Sequence, residues 1–209
     1  MAESLTCEPL RVARIWHRTT AEGPGLRTAI WVQGCSVQCP GCINQHLWTK
    51  RGGNLIETEA LADEVAEAGV EGVTLLGGEP FDQADACASL AERLHSRDIG
   101  VIVFTGFTYE TLAKGSEPGW IRLLEATDLL VDGPFDRANP ETNRAWVGSS
   151  NQRFIHLSDR YQALQPEAHR NRLELRITPS GEVDVCGFVT TKDLARLRSE
   201  LDLAVEIHP

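Results

Sequence analysis

Thr28-Ala29-Ile30-Trp31-Val32-Gln33-Gly34-Cys35-Ser36-Val37-Gln38-Cys39-Pro40-Gly41-Cys42 joins an apolar run to three closely spaced cysteines. The apolar part, residues 28–32, reads as a buried strand. It runs straight into Gly34 and a C-x3-C-x2-C loop, where Pro40 and Gly41 supply the turns that aim the sulfurs. Thiolates this close on a turning backbone converge on one point, and soft sulfur ligands select iron–sulfur clusters, zinc or copper(I). Three cysteines without a local fourth suggest a cluster with one iron left open to a small molecule. Two other readings stand beside it. Cys35, Cys39, Cys42 and His46 are the right types for a Cys3His zinc tetrahedron, and the thiols are also readable as unliganded and reactive.

The neighbouring segments set this loop in an α/β pattern. Upstream, Glu22-Gly23-Pro24-Gly25-Leu26-Arg27 marks a tight loop. It is not a dinucleotide fingerprint, because it precedes a strand and lacks the third glycine. Residues 10–16 alternate weakly, as in an edge strand. Downstream, Thr58 suits a helix N-cap, Leu61, Val65 and Ala68 follow at helical spacing, and Gly69 closes the helix. Residues 72–76 form an apolar strand ending in Gly77-Gly78-Glu79-Pro80. A helix follows, with Ala84, Cys87, Ala88, Ala91 and Leu94 on one face. Residues 101–104 are a strand ending at Thr105-Gly106-Phe107. Helices are expected over 109–113 and 120–126. Residues 128–131 are a strand ending at Asp132-Gly133-Pro134-Phe135. Repeated strand, glycine-rich loop and helix argue for a parallel sheet of βαβ units. Residues 153–157 offer a fifth strand, 173–177 and 182–185 a hairpin around Pro179-Ser180-Gly181, and 192–200 a last helix. Four to six strands make only a partial, open βα barrel. The expected organisation is one domain over residues 1–209, with a core at 10–157 and an extension at 158–209.

Bulk composition narrows the class. The chain has 209 residues, 42% hydrophobic content and a net charge of −10, enough for one substantial core. A pI of about 5.1 argues against a nucleic-acid surface. Residues 1–7 lack a basic-then-apolar leader, and no apolar run reaches membrane length. The expectation is a cytoplasmic protein whose thiols stay reduced, so metal binding explains the six cysteines better than disulfides. Cys87 falls on an apolar helix face and reads as a buried structural thiol; Cys7 and Cys186 stand alone, and Cys186 reads as core or interface packing.

C-x3-C-x2-C after one strand and Gly-Gly-Glu-Pro after the next resemble the radical S-adenosylmethionine (SAM) superfamily. Gly23-Pro24-Gly25-Leu26-Arg27 resembles the lead-in of glycyl-radical-enzyme activases. Cys39-Pro40-Gly41-Cys42, Asp132-Gly133-Pro134-Phe135 and Gly148-Ser149-Ser150-Asn151-Gln152 resemble the activases of anaerobic (class III) ribonucleotide reductase. The resemblance runs from Gly23 to Arg153 and more weakly to Gly187-Phe188. It implies that Cys35, Cys39 and Cys42 hold a 4Fe–4S cluster and that SAM chelates its open iron. It also implies SAM contacts at Gly41, Ile43, Gly77, Gly78, Glu79 and Thr105. Gly41 stands where most of the superfamily has an aromatic residue, and Glu22 where activases commonly have Asp. The implied chemistry is reductive cleavage of SAM to methionine and a 5′-deoxyadenosyl radical, which takes a hydrogen atom from a glycine of a partner enzyme. No acid–base residue is needed for that step. A flavodoxin or ferredoxin-type protein is the implied electron donor. Modification of a peptide or small molecule by the same cofactors is the alternative; a non-catalytic iron–sulfur or zinc module leaves both glycine motifs without a role.

Overall fold

The structure is a computed structural model, and it describes residues 9–188 together with Arg196 and Ser199. The helix expected over 192–200 and the thiol of Cys7 lie outside the described residues, apart from Arg196 and Ser199, which are helical. The main sheet has seven strands: β1 (Leu10–Thr19), β2 (Arg27–Val32), β3 (Asn54–Ile56), β4 (Gly72–Gly77), β5 (Gly100–Phe104), β6 (Leu129–Asp132) and β7 (Arg153–His156). Their spatial order is β3-β1-β2-β4-β5-β6-β7. The central β2, β4, β5 and β6 are parallel, while β1, β3 and β7 pair antiparallel at the flanks. The protein is thus a mixed α/β fold with a parallel-rich sheet.

Strand periodicity sorts the core. Ile30 and Val32 of β2, Val73 and Leu75 of β4, and Val101 and Val103 of β5 share one apolar cluster with Leu61, Val65, Leu90, Leu94 and Leu123. These last come from helices α1 (Thr58–Glu67), α2 (Ala84–His95) and α4 (Pro118–Glu125); the short α3 (Tyr109–Lys114) adds the buried Leu112. The alternate residues Ala29, Trp31 and Leu76 build a smaller cluster on the opposite face, as a period of two requires. Cys87 is fully buried in the helix-side core. Among the described residues no helix is long and apolar enough to cross a membrane.

Four expectations need correction. Residues 10–16 belong to β1, which is not an edge: β3 pairs outside it, with Leu10 opposite Ile56. Three residues are too few to show alternation, so β3 left no pattern to read. The sheet is not wholly parallel, and it exceeds the four to six strands expected. The segment between β6 and β7 carries no helix, and a parallel return needs a crossover that a helix usually supplies, so β7 comes back antiparallel. Thr58 is not the N-cap. Glu57 occupies that position without a side-chain cap bond, and the Thr58 hydroxyl instead faces Ser89 Oγ at 3.5 Å, buried between α1 and α2. The expected hairpin does form, from β8 (Leu173–Ile177) and β9 (Val183–Gly187), as a separate two-stranded sheet.

Candidate active site

All four parallel strands end on the same side, and parallel register puts Val32 beside Gly77 and Phe104 beside Val131. The loops after these ends enclose a cavity of about 230 Å³ lined by Cys35, Cys39, Cys42, Glu79, Thr105 and Phe135, among others. The carboxyl ends of parallel strands are where such folds gather ligands.

The cysteine loop is fixed through its backbone. Gly34 N donates to Leu47 O at 2.8 Å, Cys35 N to Trp48 O at 3.1 Å and Cys42 N to Cys39 O at 3.1 Å. Asp82 pins the loop from outside, accepting from Ser36 N at 2.6 Å and Ser36 Oγ at 2.7 Å. All three thiols are free and half-buried. Burial raises the Cys35 and Cys39 pKa values, against backbone N–H groups that aim at sulfur: those of Gln38 and Val37 at Cys35, and that of Phe135 at Cys39. Asn44 N donates to the Cys42 sulfur at 3.4 Å. Half-buried thiols with amides aimed at them suit a bound cation, which would convert them to thiolates. Among the described residues no set of three or more His, Cys, Asp and Glu side chains is gathered tightly enough for a single metal ion.

The glycine turn after β4 locks onto this loop. Gly78 N donates to Val32 O at 2.9 Å and Glu79 N to Gly34 O at 2.8 Å. Gly77 has φ +100°, and a Cβ at Gly78 would lie 2.2 Å from Gly34 O. Only glycine allows this contact. Glu79 is 1% exposed, and its carboxylate is fully engaged. It accepts from Phe81 N at 3.0 Å, Thr105 Oγ1 at 2.8 Å and Gly106 N at 2.9 Å. Burial raises its pKa to about 7 despite these bonds. Glu79 therefore ties the turn after β4 to the turn after β5. Ile43, Gly77, Gly78 and Thr105 all line the cavity; Gly41 alone among the expected residues does not. Asp132 faces away, holding Arg153 and accepting from Tyr109 N at 2.6 Å. Trp48, also on the wall, carries a buried Nε1–H without a partner among the described residues, a polar group left over for a bound molecule.

Sequence reasoning missed the opposite wall. Arg14, Glu22 and Cys186 line it, brought together by the β8–β9 hairpin. Gly187 N donates to Glu22 Oε1 at 2.8 Å, and the Cys186 thiol points at the same oxygen at 3.6 Å. Burial lifts the Glu22 pKa to about 7. The Arg14 guanidinium lies 4.8 and 4.9 Å from the rings of Trp16 and Trp31 and donates to Asp184 and to Val185 O. These partners are more than 160 residues apart in the chain, so no local pattern marks them. Arg27 is buried structure: it holds Thr74 Oγ1, Val73 O and Pro24 O.

Comparison with known proteins agrees with this geometry. A family model described as a 4Fe-4S single cluster domain matches residues 21–155. An anaerobic ribonucleoside-triphosphate reductase-activating protein of Enterobacteria phage T4 is 29% identical over 148 residues, covering 68% of this chain and 90% of the relative. The protein of that name from Vibrio cholerae is 32% identical over 139 residues, 62% and 87% of the two chains. The one from Escherichia coli K12 is 29% identical over 145 residues, 65% and 91%. Among solved structures, QueE from Escherichia coli aligns over 63% of this chain and 74% of its own at 18% identity, and its TM-score of 0.42 is too low to inform the fold. The chain belongs to the 4Fe-4S single cluster domain family, and to the family of the anaerobic ribonucleoside-triphosphate reductase-activating proteins.

Proposed function

We propose that this chain is a radical SAM enzyme that activates a glycyl radical enzyme of the anaerobic ribonucleotide reductase type. The observation that carries the reading is the meeting of the three thiols with the Gly77-Gly78-Glu79 turn at one cavity, at the carboxyl ends of the parallel strands. When bound, the cluster and SAM supply a 5′-deoxyadenosyl radical, which takes a hydrogen atom from a glycine of the partner. Cys35, Cys39 and Cys42 hold the cluster. Gly77, Gly78 and the Glu79 backbone would hold the amino group of SAM, while the Glu79 carboxylate keeps Thr105 and Gly106 in place. Ile43, on the cavity wall, and Gly41, just behind it, would lie toward the adenosyl end. The protein's own work is orientation and exclusion of water; no proton has to move at a side chain.

The sheet is read as an open βα barrel, with helices outside and the cavity on the other face. The open side is the route by which a loop of the partner enters. The chain is read as one domain over residues 1–209, with the core at 10–157 and the extension at 158–209. A flavodoxin or ferredoxin-type protein is the electron donor, and the cytoplasm is the compartment, where thiols stay reduced. The test is anaerobic incubation of the reconstituted chain with SAM, a reductant and an anaerobic ribonucleotide reductase. The expected result is a glycyl radical signal by electron paramagnetic resonance, lost when the partner's acceptor glycine is replaced by alanine. SAM consumption with no protein radical would contradict the partner assignment.

A further inference from the structure

The Gly148-Ser149-Ser150-Asn151-Gln152 loop has no part in the site chemistry above, yet its contacts converge on one neighbour. Asn151 Nδ2 donates to Pro134 O at 2.7 Å. Ser149 Oγ accepts from Asp136 N at 3.0 Å. Gln152 Nε2 reaches Gly133 O at 3.5 Å, while its Oε1 accepts from Gly148 N at 2.9 Å and Ser149 N at 3.1 Å. These bonds brace residues 133–136 from both sides, and the residue they position is Phe135.

One glycine makes room for the Phe135 ring: a Cβ at Gly148 would lie 3.0 Å from Cε2. Gly41 lies on the other edge, where a Cβ would touch Cε1 at an ordinary 3.7 Å and would meet Arg137 Cδ first, at 3.1 Å. The half-buried ring borders the cavity beside Cys39 and Cys42. Of the other aromatic residues on the wall, Trp31 stacks with Arg14 and Phe104 packs against two apolar clusters, while Trp48 and Phe188 also border the cavity but lack the bracing that the 148–152 loop gives Phe135.

We propose that Phe135 is the aromatic platform for the purine base of bound SAM, positioned by the 148–152 loop and standing in for the side chain that Gly41 lacks. This rests on the reading of the cavity as a SAM site. A planar base gains from any aromatic surface without needing matched donors and acceptors, and such stacking is worth about 1–3 kcal/mol per base. The expected loss on removing the ring is therefore about tenfold in affinity.

The test is equilibrium binding to the anaerobically reconstituted protein, comparing SAM with free methionine. Methionine offers the same amino and carboxylate groups but no base. Phe135→Leu should weaken SAM about tenfold, leave methionine binding and iron content unchanged, and be rescued by Phe135→Tyr. Unchanged SAM affinity in Phe135→Leu, or equal weakening of SAM and methionine, overturns the proposal. If Phe135→Leu fails to hold iron, Gly148→Ala displaces the ring while leaving the Phe135 amide in place, and it is judged by the same criterion. A wild-type protein that binds iron but no SAM refutes the SAM reading itself and this proposal with it, whereas wild-type binding that Phe135→Leu leaves intact refutes this proposal alone.

Discussion

Gly78→Ala adds one methyl group at the tightest joint of the site. The new Cβ would lie 2.2 Å from Gly34 O and 2.8 Å from Val32 O. Close C···O contacts rest at about 3.3–3.6 Å, so the turn must retreat from the cysteine loop by roughly 1 Å. Two bonds span that gap: Gly78 N to Val32 O at 2.9 Å and Glu79 N to Gly34 O at 2.8 Å. Losing both costs about 1–3 kcal/mol. The assay is paired: urea unfolding of the apo protein, and iron content after anaerobic reconstitution. A control isolates the backbone contribution. Gly181 has φ +88° with nothing within 4 Å of its built Cβ, so Gly181→Ala should cost only about 1–2 kcal/mol and leave iron binding intact. Gly78→Ala with wild-type stability and full iron content would refute the view that the two loops interlock through this glycine.

Other consequences are separable. Glu22 and Glu79 titrate near 7 in the folded protein, both raised by burial. The folded state therefore holds protons that the unfolded state has released, so stability is fullest below pH 4.5 and declines as pH rises through 7, by at most about 3 kcal/mol per group. Urea midpoints of the apo protein at pH 5 and pH 8 measure this, and Glu22→Gln should flatten the slope. Asp128 lies at the far ends of the strands; burial acts to raise its pKa, but bonds from His95, Ser158 and Val101 N hold it down at about 2. Asp128→Ala should destabilise the fold by about 2–4 kcal/mol while iron loading of the folded fraction stays normal. Thr105→Val removes the hydroxyl that donates to Glu79 at 2.8 Å and should weaken SAM binding several-fold with little change in iron content, read by titration of the reconstituted protein.

Much of the fold was legible because the parallel strands are uninterrupted apolar runs ending in glycine, the signature of strands buried on both faces. Arg27–Val32 is buried at every position. The cysteine loop and the Gly77-Gly78-Glu79 turn were legible for the same reason: each is local and follows its strand. What stayed hidden was either short or distant. Asn54–Ile56 has too few residues to show a period, and the antiparallel return of Arg153–His156 depends on what is missing from the loop before it. Glu22 and Gly187 meet only through the folded hairpin. Thr58 carries a capping side chain, but burial against Ser89 outweighed the local preference. Gly148 gave no hint that it makes room for the Phe135 ring.

The central claim is that the three thiols carry a redox cluster that cleaves SAM. The direct measurement is anaerobic reconstitution with iron and sulfide, then addition of dithionite and SAM, with 5′-deoxyadenosine and methionine quantified together. The account predicts both products in equal amounts from the wild type, and none from Cys35→Ala, Cys39→Ala or Cys42→Ala. A colourless protein that retains zinc and leaves SAM intact would contradict it.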